Sequence, residues 1–270
     1  MWVVAAIFVL VASAAIAVAI GWTPRAAPSP PLWDLPKLGG SYSGAAGTYA
    51  GFSLTAAIFI AGLDTARTSA TFATVFGMML VAFLVHVTAT FIAGSTPNFS
   101  QAEDAVAHAL MLVQGNMVNS LGVSITWLAL VPLTTMIGLA SLAEIFVWVQ
   151  LVMVFSSAAW VAFVAHRLTL ANTRACLILP VIGITLPALY RLGAALVWPP
   201  LWPSGGALPF TFVALGLAAF AFALHLGLLV NHGHAGSRAW LRRNSHWIAL
   251  AESQIFAVTV GLIWFTLVLS

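Results

Sequence analysis

Residues Asn231–Trp247 read NHGHAGSRAWLRRNSHW and separate two long apolar runs of the sequence. The stretch contains Arg238, Arg242 and Arg243, which are three of the nine basic residues of the chain. In membrane proteins, short loops rich in Lys and Arg stay on the cytoplasmic side and fix the direction of the neighbouring spans. We therefore predict that this loop is cytoplasmic, and we count the other spans outward from it.

The amino-acid composition is typical of a polytopic membrane protein. Of the 270 residues, 62% are hydrophobic and 6% are charged, and the mean hydropathy is +1.06. A soluble domain carries roughly a quarter charged residues, so this chain lacks the polar surface that water requires. The apolar runs are long enough for helices that cross a bilayer. We therefore predict an all-α transmembrane helical bundle, with residues 1–270 in a single membrane domain.

The apolar runs predict about eight spans, and this number places both termini on the outer side. Their approximate bounds are 1–21, 41–63, 69–94, 118–139, 141–165, 175–198, 208–230 and 247–269. The first run is either a retained helix or a cleaved secretory signal, because Ala17-Val18-Ala19 resembles a cleavage site. The five prolines between Trp22 and Gly40 predict an extended loop before the second span.

The segment from Ser100 to Leu139 allows two divisions. Ser100-Gln101-Ala102-Glu103 has the form of a capping box, so a helix is expected to begin there. An unbroken helix to Leu139 would be about 58 Å long, which exceeds one crossing. We therefore predict an amphipathic interfacial helix over 101–116, a break at Gly115-Asn116 and a span after it. The alternative is a ninth span over 101–120, which worsens the distribution of basic residues.

The second span carries a row of small residues on one helical face. The row consists of Gly40, Gly44, Gly47 and Gly51 and contains two GxxxG units. Small side chains let another helix backbone approach closely. We expect this face to pack against a helix of the chain, of a second copy or of another membrane subunit. A face that lines a ligand site or a pore is the alternative.

Ionisable side chains within the apolar runs are the candidate functional residues. His86, His225 and Glu252 all fall in the cytoplasmic half of the predicted bundle. Such groups are costly in hydrocarbon and usually face a partner, a cavity or a cofactor. Three interpretations stay open: hydrogen-bonded packing, a proton or ion path through these residues, and a haem or metal site. In the last, His86 and His225 bind a b-type haem or a metal ion from two helices.

Two further sets of residues are candidates. Glu144 begins the fifth span and Arg191 lies in the outer third of the sixth, so the two can form an ion pair in one leaflet. Arg191 also follows Pro187 by four residues, and spans broken by proline line many transporter sites. His232 and His234 in the basic loop are candidate ligands of a metal ion at the surface.

The sequence contains no pattern that specifies a catalytic or nucleotide-binding site. A nucleophile elbow, a Walker A motif and a Rossmann glycine pattern are all missing, and Cys176 is the single cysteine. The few basic residues are scattered or confined to the orienting loop, so no nucleic-acid partner is expected. We favour a non-enzymatic protein that passes a small solute, ion or proton, or that serves as a subunit of a membrane complex. The alternative is a redox protein that binds haem or a metal ion.

Overall fold

The structure, a computed structural model, describes four long helices and a few short pieces of chain. It describes residues 35–63, 71–95, 101–139, 141–143, 145–146, 149, 208–231, 239–240, 243–244 and 259–260. The long helices are α1 (Leu35–Gly62), α2 (Phe72–Ser95), α3 (Gln101–Met136) and α4 (Leu208–Asn231). The predicted all-α class is therefore confirmed for the described part of the chain. The number of eight spans stays a prediction.

Helix α2 lies at the centre of these elements and packs against the other three. Helices α1 and α3 run antiparallel to it. Helix α4 runs parallel to α2, because Phe91 packs on Phe222 while Ser95, one turn further on, bonds to His225. Parallel membrane helices are separated by an odd number of crossings, and the predicted topology places three between these two.

Within the described residues, three helical segments are long and apolar enough to cross a membrane: Lys37–Gly62, Phe72–Ser95 and Leu110–Met136. The distribution of side chains agrees with such an environment. Large apolar side chains such as Phe59 and Phe220 are 67% and 60% exposed on the outside of the helices. Polar side chains, among them Ser53 and His86, are fully buried between them. A soluble protein shows the reverse arrangement, so the fold is compatible with a membrane protein.

Helix α1 packs through a row of small residues that differs from the glycine row. Its buried face consists of Ala46, Ala50, Ser53, Ala57 and Ile60, at alternating spacings of four and three residues. This spacing of 3.5 residues keeps one face against a neighbouring helix over several turns. Small side chains let a neighbouring backbone approach closely, and α1 packs against both α2 and α3.

The glycine row lies beside this buried face. A Cβ atom added at Gly40, Gly44 or Gly51 would have no other atom within 4 Å, and one at Gly47 would lie 4.0 Å from Oγ1 of Thr90. Within the described residues, therefore, the face with the closest helix packing is the alanine-rich one.

The predicted extended loop up to Gly40 is wrong at its end, because α1 already begins at Leu35. Pro36 occupies the first turn of the helix. In that turn the backbone amides have no partner within the helix, so a residue without an N–H group is tolerated. The helix continues through Gly40 because tertiary packing along α1 outweighs the low helix propensity of glycine.

The predicted break at Gly115-Asn116 is also wrong, because α3 is continuous over 36 residues, about 54 Å. The part of α3 that is long and apolar enough to cross a membrane is Leu110–Met136. Gly115 is a packing position: a Cβ atom there would lie 3.3 Å from Cβ of Ala93. Gln114 and Asn116 are buried inside the bundle, so residues 110–116 do not form an interfacial amphipathic surface. Polar side chains that lipid would reject are accommodated by neighbouring helices.

The end of α3 is fixed by a Schellman motif. Gly138 has a φ of 81°, and its amide donates to the carbonyl of Thr135 while the Leu139 amide donates to that of Thr134. These two bonds satisfy carbonyls that the last helical turn leaves free. Glycine suits this position because the Cβ atom of an L-residue causes a steric clash at positive φ.

Candidate functional site

The candidate site is a hydrogen-bonded network around the buried imidazole of His86. Nδ1 of His86 lies 3.1 Å from Oδ1 of Asn119, and Nε2 lies 3.5 Å from Oγ1 of Thr126. The Thr126 hydroxyl in turn lies 3.1 Å from Oγ of Ser53. The network therefore joins α1, α2 and α3 in the middle of the bundle, and the His86 side chain is 0% exposed.

An aromatic ring and a glycine also lie against the imidazole. The ring of Tyr49 is stacked on that of His86 with a centroid distance of 5.4 Å and an interplanar angle of 15°. A Cβ atom at Gly122 would lie 2.7 to 2.9 Å from three atoms of the imidazole. Real Cβ atoms do not approach other heavy atoms so closely, so the ring occupies space that only glycine leaves at this position.

Helix α3 supplies the site through one face with a regular spacing. Gly115, Asn119, Gly122 and Thr126 are separated by four, three and four residues and all face α2. The two polar residues hydrogen-bond to His86, and the two glycines let α2 approach closely on the same face of α3. The same spacing brings the imidazole between Asn119 and Thr126.

The hydroxyl groups of the site have backbone partners as well as side-chain partners. The Thr126 hydroxyl lies 2.9 Å from the carbonyl of Gly122, and the Ser53 hydroxyl lies 2.9 Å from that of Tyr49. A hydroxyl has one hydrogen and two lone pairs, so each donates to one of its neighbours at a time and accepts from others. The network can therefore rearrange its hydrogens without moving its heavy atoms.

A second buried histidine, on α4, lies next to the end of α2. Nε2 of His225 is hydrogen-bonded to Oγ of Ser95, and His225 is 1% exposed. Its Nδ1 atom is buried and has no hydrogen-bond partner within the described part of the chain. The bond to Ser95 ties α4 to α2, and the unsatisfied nitrogen marks a place where a further polar group fits.

The structure does not bring His86 and His225 together. Ser95, the partner of His225, follows His86 by nine residues, which is about 13 Å along the helix and half a turn away from it around the axis. Two imidazoles that bind one metal ion place their nitrogens about 2 Å from it. This geometry does not fit a haem or metal ion held between His86 and His225. Within the described residues, no group of three His, Cys, Asp or Glu side chains is arranged around a metal site.

The remaining predicted site residues lie outside the described residues. These are Glu252, Glu144, Arg191, His232 and His234. The proton path through Glu252, the Glu144–Arg191 ion pair and the metal site in the basic loop therefore stay predictions. The glycine row is described, and its exposed side is open.

Sequence reasoning singled out His86 but missed the residues that surround it. The pattern of ionisable residues in apolar runs does not point to Tyr49, Ser53, Asn119, Gly122 or Thr126. A signal was available in the spacing of Gly115, Asn119, Gly122 and Thr126, because polar and small residues at this period predict one interhelical face. The partners on α1 depend on how the helices pack and carry no such signal.

Comparison with known proteins supplies no relative. No protein-family model, no curated protein and no solved structure matches the chain.

Proposed function

We propose that the chain is an integral membrane protein that passes protons, with His86 as a buried group that carries them. The observation that supports this proposal is the fully buried imidazole whose two nitrogens are both hydrogen-bonded, in the core of three helices suited to span a bilayer. Imidazole takes up and releases a proton near neutral pH more readily than other side chains. Ionisable groups at such depth usually serve a function.

Polar side chains along α3 support a path of useful length. Gln114, Asn116, Asn119 and Thr126 are spread over about 18 Å of the helix, within a hydrocarbon layer of roughly 30 Å. Asn119 is partly buried and the other three are buried. Gly115 packs at the level of Ala93, so Gln114 lies near the level of Ser95 and His225. The four side chains extend from the level of the His86 network to the level of the second histidine but do not share one face, since Gln114 and Asn116 are about 160° apart around the axis of α3.

The proposed path includes Glu252 and His225 as further proton-binding groups. Glu252 is the one carboxylate in the last predicted span. A carboxylate buried near a histidine can exchange a proton with it, since both groups have a neutral and a charged form. The unsatisfied Nδ1 of His225 favours a polar partner of this kind.

The test is proton flux in proteoliposomes that contain a pH-sensitive dye and carry an imposed potassium diffusion potential. The purified protein is expected to acidify the lumen faster than protein-free vesicles, and His86→Gln is expected to abolish the difference. Glutamine keeps an amide for hydrogen bonding but does not take up or release a proton near neutral pH. Thr88→Val is the matched control, because Thr88 lies on the same helix and its hydroxyl bonds to the carbonyl of Leu84.

Either of two results would contradict the proposal. The first is a wild-type flux equal to that of protein-free vesicles, and the second is an unchanged flux in His86→Gln. A reduced flux in Thr88→Val would indicate that general damage to α2 explains the loss.

A second candidate function is that of a subunit in a larger membrane complex. The observation that favours it is the open face of α1 at Gly40, Gly44 and Gly51, which has space for the backbone of another helix. A leucine at Gly44 would fill that space, so Gly44→Leu is expected to lower the mass of the detergent-solubilised assembly. Gly216→Leu, also in open space on α4, is the control. An unchanged mass in Gly44→Leu would contradict this role.

A further inference from the structure

We infer that His86 is a proton-binding site that is loaded and unloaded through Nε2 alone, with the Thr126 hydroxyl changing from donor to acceptor as the proton arrives. This inference rests on the proposed function and makes it more specific. It assigns different roles to the two ring nitrogens, because their partners on α3 differ in chemistry.

The partner of Nδ1 fixes the tautomer. Oδ1 of Asn119 is a carbonyl oxygen and only accepts hydrogen bonds, so Nδ1 of His86 must carry the hydrogen in their 3.1 Å bond. In the neutral ring, Nε2 is then the atom with the free lone pair. An amide oxygen is a very weak base, so a proton does not leave the ring through Asn119. Nδ1 therefore keeps its hydrogen in both protonation states of the ring.

The partner of Nε2 serves both protonation states. When the ring is neutral, the Thr126 hydroxyl donates to Nε2, and Ser53 can donate to Oγ1 of Thr126 across 3.1 Å. When a hydronium ion protonates Nε2, one of its O–H bonds breaks and water is released, while the new N–H bond donates to Oγ1 of Thr126. The Thr126 hydrogen then rotates to the carbonyl of Gly122 at 2.9 Å. Every hydrogen has an acceptor in both states, and the heavy atoms keep their places.

Buried imidazolium is costly unless its hydrogens are bonded, and here both of them are. Of the described side chains that stack on or hydrogen-bond to the His86 ring, Tyr49 alone is titratable. His225, on α4, bonds to Ser95, which is half a turn away from His86 around α2. Lys37 is exposed and lies near the start of α1, 16 residues or about 24 Å along the helix from Ser53. The proton therefore depends on the hydroxyl network rather than on a counter-ion in the described residues.

The experiment is nitrogen NMR of the intact protein labelled with ¹⁵N-histidine, followed through a pH titration. The chemical shift of each ring nitrogen reports whether it carries hydrogen, and the His86 signals are those missing in His86→Gln. We expect the Nδ1–H tautomer at high pH and a gain of hydrogen at Nε2 at low pH. In Thr126→Val, half-protonation of His86 should require a proton concentration at least about tenfold higher, since the hydrogen bond from the charged ring to Thr126 is lost. Thr126→Ser should restore the wild-type titration.

Thr134→Val is the matched control, because Thr134 is buried in the same helix and bonds to the carbonyl of Val131 within it. Equal titration of Thr126→Val and Thr134→Val would overturn the inference. An Nε2–H tautomer in the unaltered protein would do the same, and that result does not depend on the folding of any variant. NMR reports on the ring directly and flux is measured separately. An unexpected tautomer or titration with intact flux would overturn only this inference, and a loss of flux with the expected NMR result would overturn only the proposed function.

Discussion

Gly122 on α3 lies directly against the imidazole of His86 on α2. A Cβ atom at Gly122 would be 2.7 Å from Cε1 of the ring, 2.8 Å from Nδ1 and 2.9 Å from Nε2. The position of the ring between Asn119 and Thr126 therefore depends on a missing side chain as much as on hydrogen bonds. This relationship links helix packing to the proposed proton chemistry.

Gly122→Ala should displace the imidazole and break its bonds to Asn119 and Thr126. The reason is steric, because the neighbouring helices leave no room for the added methyl group. We expect the loss of most of the proton flux, and an NMR signal of His86 that changes at both nitrogens. Gly216→Ala is the control, since a methyl group there meets no atom within 4 Å and alanine favours a helix over glycine by up to about 1 kcal/mol. Wild-type behaviour of Gly122→Ala would contradict the packing described here.

Ser53→Ala should destabilise the bundle moderately. Ser53 is buried and its hydroxyl contacts Thr126 across the α1–α3 interface. Interhelical hydrogen bonds in membranes contribute roughly 0.5 to 1.7 kcal/mol. The measurement is the free energy of unfolding in mixed micelles titrated with denaturing detergent. Ser41→Ala is the control, because the exposed Ser41 hydroxyl bonds within its own helix to Lys37. A loss as large in Ser41→Ala would argue against a specific role for the Ser53 bond.

Asn119→Leu should remove the preference of His86 for the Nδ1–H tautomer. Without the carbonyl acceptor, Nδ1–H has no advantage over Nε2–H, so both tautomers should be populated in the ¹⁵N spectrum. Ser120→Ala changes the adjacent buried residue and should leave the spectrum of His86 unchanged. If the Nδ1–H tautomer persists fully in Asn119→Leu, then Asn119 does not fix the ring.

The Ser95–His225 bond should couple α2 to α4. Removing the hydroxyl in Ser95→Ala leaves Nε2 of a buried ring without its partner, which costs about 1 to 3 kcal/mol of unfolding free energy. A double-mutant cycle of Ser95→Ala with His225→Phe isolates the interaction between the two residues. A coupling free energy indistinguishable from zero would show that the bond does not hold the helices together.

Lipid exposure of the outer apolar residues can be measured with a spin label. We expect a label at Phe220, which is 60% exposed on α4, to collide more often with oxygen than with a water-soluble nickel complex, because oxygen concentrates in hydrocarbon. A label at the exposed Lys37 should show the opposite preference. The native Cys176 is first replaced by serine. Equal access of the nickel complex at both positions would contradict a position of Phe220 in the bilayer.

The amino-acid sequence by itself predicted an all-α class, which the described residues confirm, and a membrane location, with which three of their helical segments are compatible. Long apolar runs and a charged fraction of 6% predict membrane helices, because no water-exposed surface can be built from such a composition. It also singled out His86, since an ionisable residue within an apolar run is conspicuous wherever it packs. The start of α1 and the continuity of α3 were not predictable in the same way. Pro36 is tolerated because it lies in the first turn of α1, whereas the low helix propensities of Gly115 and Asn116 are outweighed by the packing of α3 inside the bundle.

Tertiary structure alone decided what surrounds the histidine. Tyr49 and Ser53 come from α1, and Asn119, Gly122 and Thr126 from α3, so their meeting at His86 depends on how three helices are aligned. The separation of His86 from His225 was decided in the same way. His225 bonds to Ser95, which lies nine residues after His86 and on the opposite face of α2. Periodicity within one helix specifies which residues share a face. It does not specify which face of which helix that surface meets, because many helix pairs bury similar apolar area.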